Sequence, residues 1–160
     1  MYQKEKTTTR RHNAVLTRLL KAIPKKSQTV YTNQATPGCD TALRPDIVII
    51  NEKNKLATII DVAIPFEGSI HCFNDAGKRK IEKYAGIEHY FIEKGYKTFN
   101  NAFAIGAPGC YDTANESHLK RLRIPHRYAT LMKRLMVNDV IRWSCDFYTK
   151  HITGIRQYVA

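Results

Sequence analysis

The stretch DIVIINEKNKLATIIDVAI, residues 46–64, decides the fold. It holds two β-prone apolar runs, DIVII (46–50) and LATIIDVAI (56–64), separated by the polar NEKNK. Ile47 and Ile49 point opposite to Val48 and Ile50, so the first run is apolar on both faces. Strands of that kind sit in a sheet covered on two sides, and an α/β sandwich follows. If Lys53 and Asn54 form a two-residue hairpin turn, Asp46 faces Asp61 across the ladder. A slip of one residue would break that match.

Working outward, the flanks read as helix and strand in alternation. Residues 12–23 carry Ala14, Val15, Leu19, Ala22 and Ile23 at helical spacing, and Pro24 stops them. SQTVYT (27–32) is a short β-prone run, followed by the turn signal ATPG. Downstream, Pro65 ends the second strong strand and FEGSIHCFN leads into a helix expected over 75–94, closed by Gly95. YKTFNNAFAIGA (96–107) is a fourth strand, and GAPG (106–109) reads as a turn. From Asn115 the pattern is helical, with a break at Pro125. The first eleven residues read as a flexible basic tail.

Composition narrows the class. The chain has 160 residues, 43% of them hydrophobic and 25% charged, which suits one globular domain with a real core. No apolar run is long enough to span a bilayer, and the polar start MYQKEKTTTRRHN is no secretory signal. There are 26 Lys and Arg against 14 Asp and Glu, a net charge of +12, which points to a polyanionic partner. Nothing reads as a lipid anchor, so nucleic acid rather than a membrane is expected. Cys39, Cys72, Cys110 and Cys145 are scattered without a C-x-x-C pair, so reduced thiols are expected and a structural zinc is not.

The residues that carry chemistry lie in and after the hairpin. Asp61 sits inside TIIDVAI, where a buried charge costs several kcal/mol unless something compensates it. Two carboxylates directly across a ladder repel each other, and a cation turns that repulsion into a ligand set suited to Mg²⁺ or Mn²⁺. The plainer alternative has Asp46 capping a turn and Asp61 pairing with a buried Arg. On the following helix, Ile81, Tyr84, Ala85, Ile87, Phe91 and Ile92 form an apolar arc that Glu88 interrupts. Lys80 falls within the arc and Lys83 at its edge; either reaches the acids, or both run out to solvent. Arg11, Arg18, Arg44, Lys120, Arg121, Arg123 and Arg127 are candidate phosphate contacts, and the run from His118 to Arg127 has no acid in it. His12, His71 and His118 make no nucleophile–base constellation with any Ser or Cys.

RPD (44–46), IIDVAIPFE (59–67) and KRKIEKY (78–84) together resemble the PD-(D/E)xK restriction-enzyme-like nucleases. More narrowly, with AFAIGAPGCYDTANE (102–116) and LMVNDVIRWSCDFYTKHITGIRQY (135–158), the chain is similar to the endonuclease at the C-terminal end of R-two-type site-specific non-LTR retrotransposon polyproteins. The resemblance implies a restriction-endonuclease-like core at 12–112 (helix, three-stranded β-meander, helix, strand), with a basic helical extension over 113–160 packed on it. It implies that Asp46, Asp61 and the Val62 carbonyl bind the metal. Position 63 is Ala, so the lysine of the motif is absent, and the resemblance gives its role to Lys80 or Lys83 of the next helix. A double-stranded DNA target in the nucleus is implied too, with element RNA and the reverse transcriptase of the parent polyprotein as further partners. The reverse transcriptase and zinc knuckle of those polyproteins are not in this sequence, which fits an isolated domain or a decayed genomic copy. Two functions stay open: an endonuclease whose nick primes integration, and a DNA-binding remnant without turnover. A basic structural protein, such as a ribosomal component, would explain the charge but not an aspartate buried in a strand.

Overall fold

Four strands, β1 (Thr29–Thr32), β2 (Ile47–Asn51), β3 (Leu56–Ala63) and β4 (Lys97–Ala104), form one open sheet in the order β1-β2-β3-β4. The computed structural model describes residues 2–66 and 69–155, with side chains from residue 9 onward. β1, β2 and β3 are an antiparallel meander, and β4 lies parallel to β3. A parallel partner requires a crossover, supplied by α2 (Ile70–Lys83) and α3 (Ala85–Glu93). With α1 (Tyr2–Ala22), α4 (Asn115–Arg121) and α5 (His126–Thr153), five helices surround the sheet among the described residues. The fold is therefore α/β with a mixed sheet.

The hairpin register follows the turn. Ile47 faces Ile60 and Asn51 faces Leu56, the pairing expected with Lys53 and Asn54 at its centre. The connection is a four-residue turn rather than the two-residue one expected, closed by Lys55 N–H on the Glu52 carbonyl at 3.4 Å, with Lys55 at φ 46°. Both faces of β2 are buried, as its sequence demands. Ile47 and Ile49, with Ile60 and Val62 of β3, pack against Val15 and Leu19 of α1 and Met132, Met136 and Val140 of α5. Val48, Ile50, Ala57 and Ile59 pack against Tyr84, Ile87 and Phe91 on the other face.

Two helices depart from expectation. The helix expected over 75–94 starts earlier, at Ile70, because the Ser69 hydroxyl accepts the Cys72 N–H at 3.3 Å and caps it. It also breaks at Tyr84 (φ −105°, ψ 12°) into α2 and α3. The break rotates α3 against α2, so Tyr84, Ile87 and Phe91 are buried, whereas Ile81, Ala85 and Ile92 of the expected arc are exposed. At the other end of the chain, α1 begins at Tyr2 rather than His12. Arg10 and Arg11 in the added turns meet α5, their guanidinium groups 5.2 and 5.9 Å from the ring centres of Trp143 and Phe147. Tertiary packing supplies what a polar helix lacks alone.

The remaining details agree with the sequence. Gly95 (φ 80°) follows α3, Pro125 precedes α5, and GAPG is a turn with Gly109 N–H on the Gly106 carbonyl at 2.8 Å. The four cysteines form no disulfide. No helix among the described residues is long and apolar enough to cross a membrane. Met1, residues 67–68 of the expected loop and residues 156–160 of the expected extension lie outside the described residues.

Candidate metal centre

Asp46 and Asp61 meet where β2 begins and β3 nears its end. The Asp46 N–H donates to Asp61 Oδ1 at 3.3 Å, and the Val62 N–H donates to Asp46 Oδ2 at 2.7 Å. Both acids are out of water, 7% and 2% exposed. In an antiparallel ladder, the N–H and carbonyl of one residue face the same neighbour. The Val62 carbonyl therefore faces the way its N–H does, and the β2–β3 register carried two residues beyond Ile47 reaches Pro45, a residue with no N–H to give. Pro45 therefore offers this carbonyl no hydrogen bond.

A lysine and a histidine approach the acids from opposite layers. From α2, the Lys80 ammonium donates to Asp61 Oδ2. From α1, on the other face of the sheet, His12 Nε2 lies 2.8 Å from Asp46 Oδ2. The hydrogen bond to Asp46 raises the His12 pKa; burial opposes it, and the Asp46 charge adds to the rise. Burial by itself pushes the Asp46 carboxyl up, but the His12 hydrogen bond and charge, the Val62 N–H and Lys80 outweigh it and hold the group below its ordinary value. Tyr84, 1% exposed, closes the floor, its hydroxyl donating to the Arg44 carbonyl at 3.2 Å. Burial, then the nearby Asp61 charge, raises this phenol well above its usual value, so it stays a neutral donor.

These groups could hold a hard cation. Among the described residues, no three or more His, Cys, Asp or Glu side chains form a metal cage. Mg²⁺ is commonly held by one or two carboxylates, with water and phosphate completing the shell. Asp46, Asp61 and the Val62 carbonyl are such a set, all hard oxygens.

Of the two candidate lysines, the sheet brings only Lys80 to the acids. Lys83 is exposed, its ammonium 4.8 Å from the Tyr84 ring centre. The plainer expectation of an arginine partner for Asp61 is replaced by Lys80. The candidate phosphate contacts divide likewise. Arg44 is exposed two residues before Asp46. Arg11 donates to Ser144 at 3.1 Å inside the α1–α5 contact, and Arg18 Nε is bound to Asp139 at 2.5 Å, so both are engaged in packing. Lys120, Arg123 and Arg127 are exposed on or beside α4 and the start of α5, and Arg121 lies over the Phe99 ring at 3.9 Å.

His12 and Tyr84 are the site residues that the strand pattern does not reveal. The signal for His12 lies in α1: it precedes Val15, Leu16 and Leu19, all buried, by three, four and seven residues, which is one helix face. Tyr84 stands in the expected arc, but its polar end was without an assigned partner. Comparison with known proteins adds nothing to this assignment: no family model matches the chain, and no curated protein matches it.

Proposed function

We propose that the chain is a metal-dependent endonuclease of the restriction-enzyme-like kind, which nicks double-stranded DNA by hydrolysing a phosphodiester. The observation that carries this reading is a pair of buried carboxylates across one ladder, with a lysine from the crossover helix on the second of them. Asp46, Asp61 and the Val62 carbonyl would hold Mg²⁺ or Mn²⁺. When bound, the ion would supply positive charge that lets water attack an anionic phosphate. Hydrolysis adds water across the P–O3′ bond, and one of its protons ends on the 3′ oxygen. Lys80, fixed on Asp61, offers ammonium protons to the charge that builds on the phosphoryl oxygens. His12 holds Asp46 in place through Oδ2, and Tyr84 keeps water from the floor. Arg44 and the exposed Lys78, Arg79 and Lys83 of α2 line the approach for the duplex backbone. A free 3′ end of this kind can prime reverse transcription, and the retrotransposon resemblance places that use in the nucleus, with element RNA and a reverse transcriptase as partners.

A second reading, a DNA-binding remnant without turnover, has one observation in its favour. Lys80 and His12 already balance both carboxylates, so the fold accommodates them with no cation. A nicking assay on supercoiled plasmid with Mg²⁺ or Mn²⁺ separates the two, with Asp61→Asn as control. Open circles from the wild type alone support the nuclease. Folded wild-type protein that binds DNA and yields no open circles overturns it in favour of the remnant.

A further inference from the structure

At the end of the sheet away from the acids, the starts of β3 and β4 and the loops following α1 and α4 enclose a groove of about 610 Å³. Lys26, Lys53, Lys97, Arg121 and Arg123 line it, and no carboxylate does. Its apolar lining comes from Ile49, Leu56, Phe99 and Leu122. Thr58 and Leu56 share a face of β3 with Ile60 and Val62, the face packed by α1 and α5. Asp61 points to the other face, toward α2. The groove and the acid pair thus lie on opposite faces and toward opposite ends of one strand.

We propose that this groove binds single-stranded nucleic acid. The cationic rim suits phosphates of any polyanion, but the apolar floor selects further. In a duplex the bases are stacked inside and cannot reach such a floor; in a single strand they can. Arg121 supplies the stacking plane. Its guanidinium lies over the Phe99 ring at 3.9 Å and donates to Asn101 Oδ1 at 3.3 Å, so its orientation is fixed before anything binds. Ser27 and Arg123, one in each bounding loop, adopt left-handed backbone (φ 64° and 56°). That conformation is costly for residues with a side chain, and it persists only where the surroundings enforce it. The volume falls within the roughly 300–1,000 Å³ of sites that enclose small organic groups, so it suits a nucleotide or two rather than a long track. The proposal does not depend on cleavage at the acids.

The test is fluorescence anisotropy with chelator present, using labelled oligothymidylate, a duplex of equal length and inorganic polyphosphate. The variants are K26Q/K53Q/K97Q, whose three lysines are all exposed and hence safe for folding, and Arg121→Lys. The triple variant is expected to bind the single strand roughly tenfold more weakly, with a salt slope shallower by about 2. Arg121→Lys keeps the charge and loses the plane, so it is expected to weaken the single strand about threefold and leave polyphosphate unchanged. Wild-type affinity for the single strand in the triple variant overturns the groove assignment. Equal losses for strand, duplex and polyphosphate, or an Arg121→Lys variant that binds the strand like wild type, overturn the single-strand assignment. Because no metal is present, a failure to nick plasmid leaves either result intact.

Discussion

Asp61 is buried in an apolar strand, and Lys80 is the side chain that pairs with it. Removing one partner of a fully buried ion pair costs roughly 3–5 kcal/mol; Lys80 keeps a third of its side chain in water, so Lys80→Ala should cost about 2 kcal/mol. Urea unfolding in chelator measures that loss, and added Mg²⁺ should restore part of it if the acids hold the ion. His12 gives a pH signature. Its folded pKa is raised, so its stabilisation is complete below the unfolded value of about 6.5 and is lost as pH rises through the folded value. Asp46 is depressed, so its contribution is present above about 3.9 and is lost as pH falls through its folded value. The pair is strongest between these limits. His12→Gln should flatten the fall in stability on the alkaline side of pH 6.5, measured again in chelator; an unchanged slope would remove His12 from the pair. The acids were legible because a charge inside an apolar run stands out and the turn sets the register. The histidine was not, because its partner is thirty-four residues away and only packing of α1 on the sheet brings them together.

At the scale of elements, glycines test how well helix and loop are understood. Gly86 lies in the first turn of α3 and a Cβ there would meet nothing within 4 Å. Gly86→Ala should therefore stabilise by about 0.5 kcal/mol and raise Tm by about 1–2 °C. Gly109 is the reverse case: at φ 97°, its Cβ would stand 2.6 Å from Ile141 Cδ1 on α5. Gly109→Ala should cost about 2 kcal/mol through strain and overpacking, read as a lower urea midpoint with unchanged slope. Strands were more legible than helices for a physical reason. A strand shows its faces in the period of two, whereas the break at Tyr84 is made by the demand of the sheet beneath. An arc drawn through it joins buried Ile87 and Phe91 to exposed Ile81 and Ile92. The start of α1 was hidden similarly, since α5 provides its support.

Across the whole molecule, exposed basic side chains stand near the acids, at Arg44, Lys78, Arg79 and Lys83, and others line the groove at the far end of the sheet. Duplex held by Arg44, Lys78, Arg79 and Lys83 should dissociate with salt at a log–log slope of about −3 to −4. In chelator, Asp61→Asn should bind duplex at least as tightly as wild type; a loss of affinity would place the DNA elsewhere. The sandwich could be read from β2 and β3 alone, and a strand–helix–strand order points to a crossover. The second basic groove could not be, because Lys26, Lys53, Lys97 and Arg123 are far apart in sequence and only the sheet end assembles them. One consequence of the two-layer site concerns time. Lys80 reaches the acids from the crossover that completes the sheet, but His12 arrives only when α1 docks on the opposite face. A refolding chain at about pH 6.5 should then take up protons as that docking occurs, since the imidazole binds a proton more tightly beside Asp46. An indicator dye in weak buffer would make the closing of the second layer visible as a pulse of alkalinity, separate from the burial of the sheet.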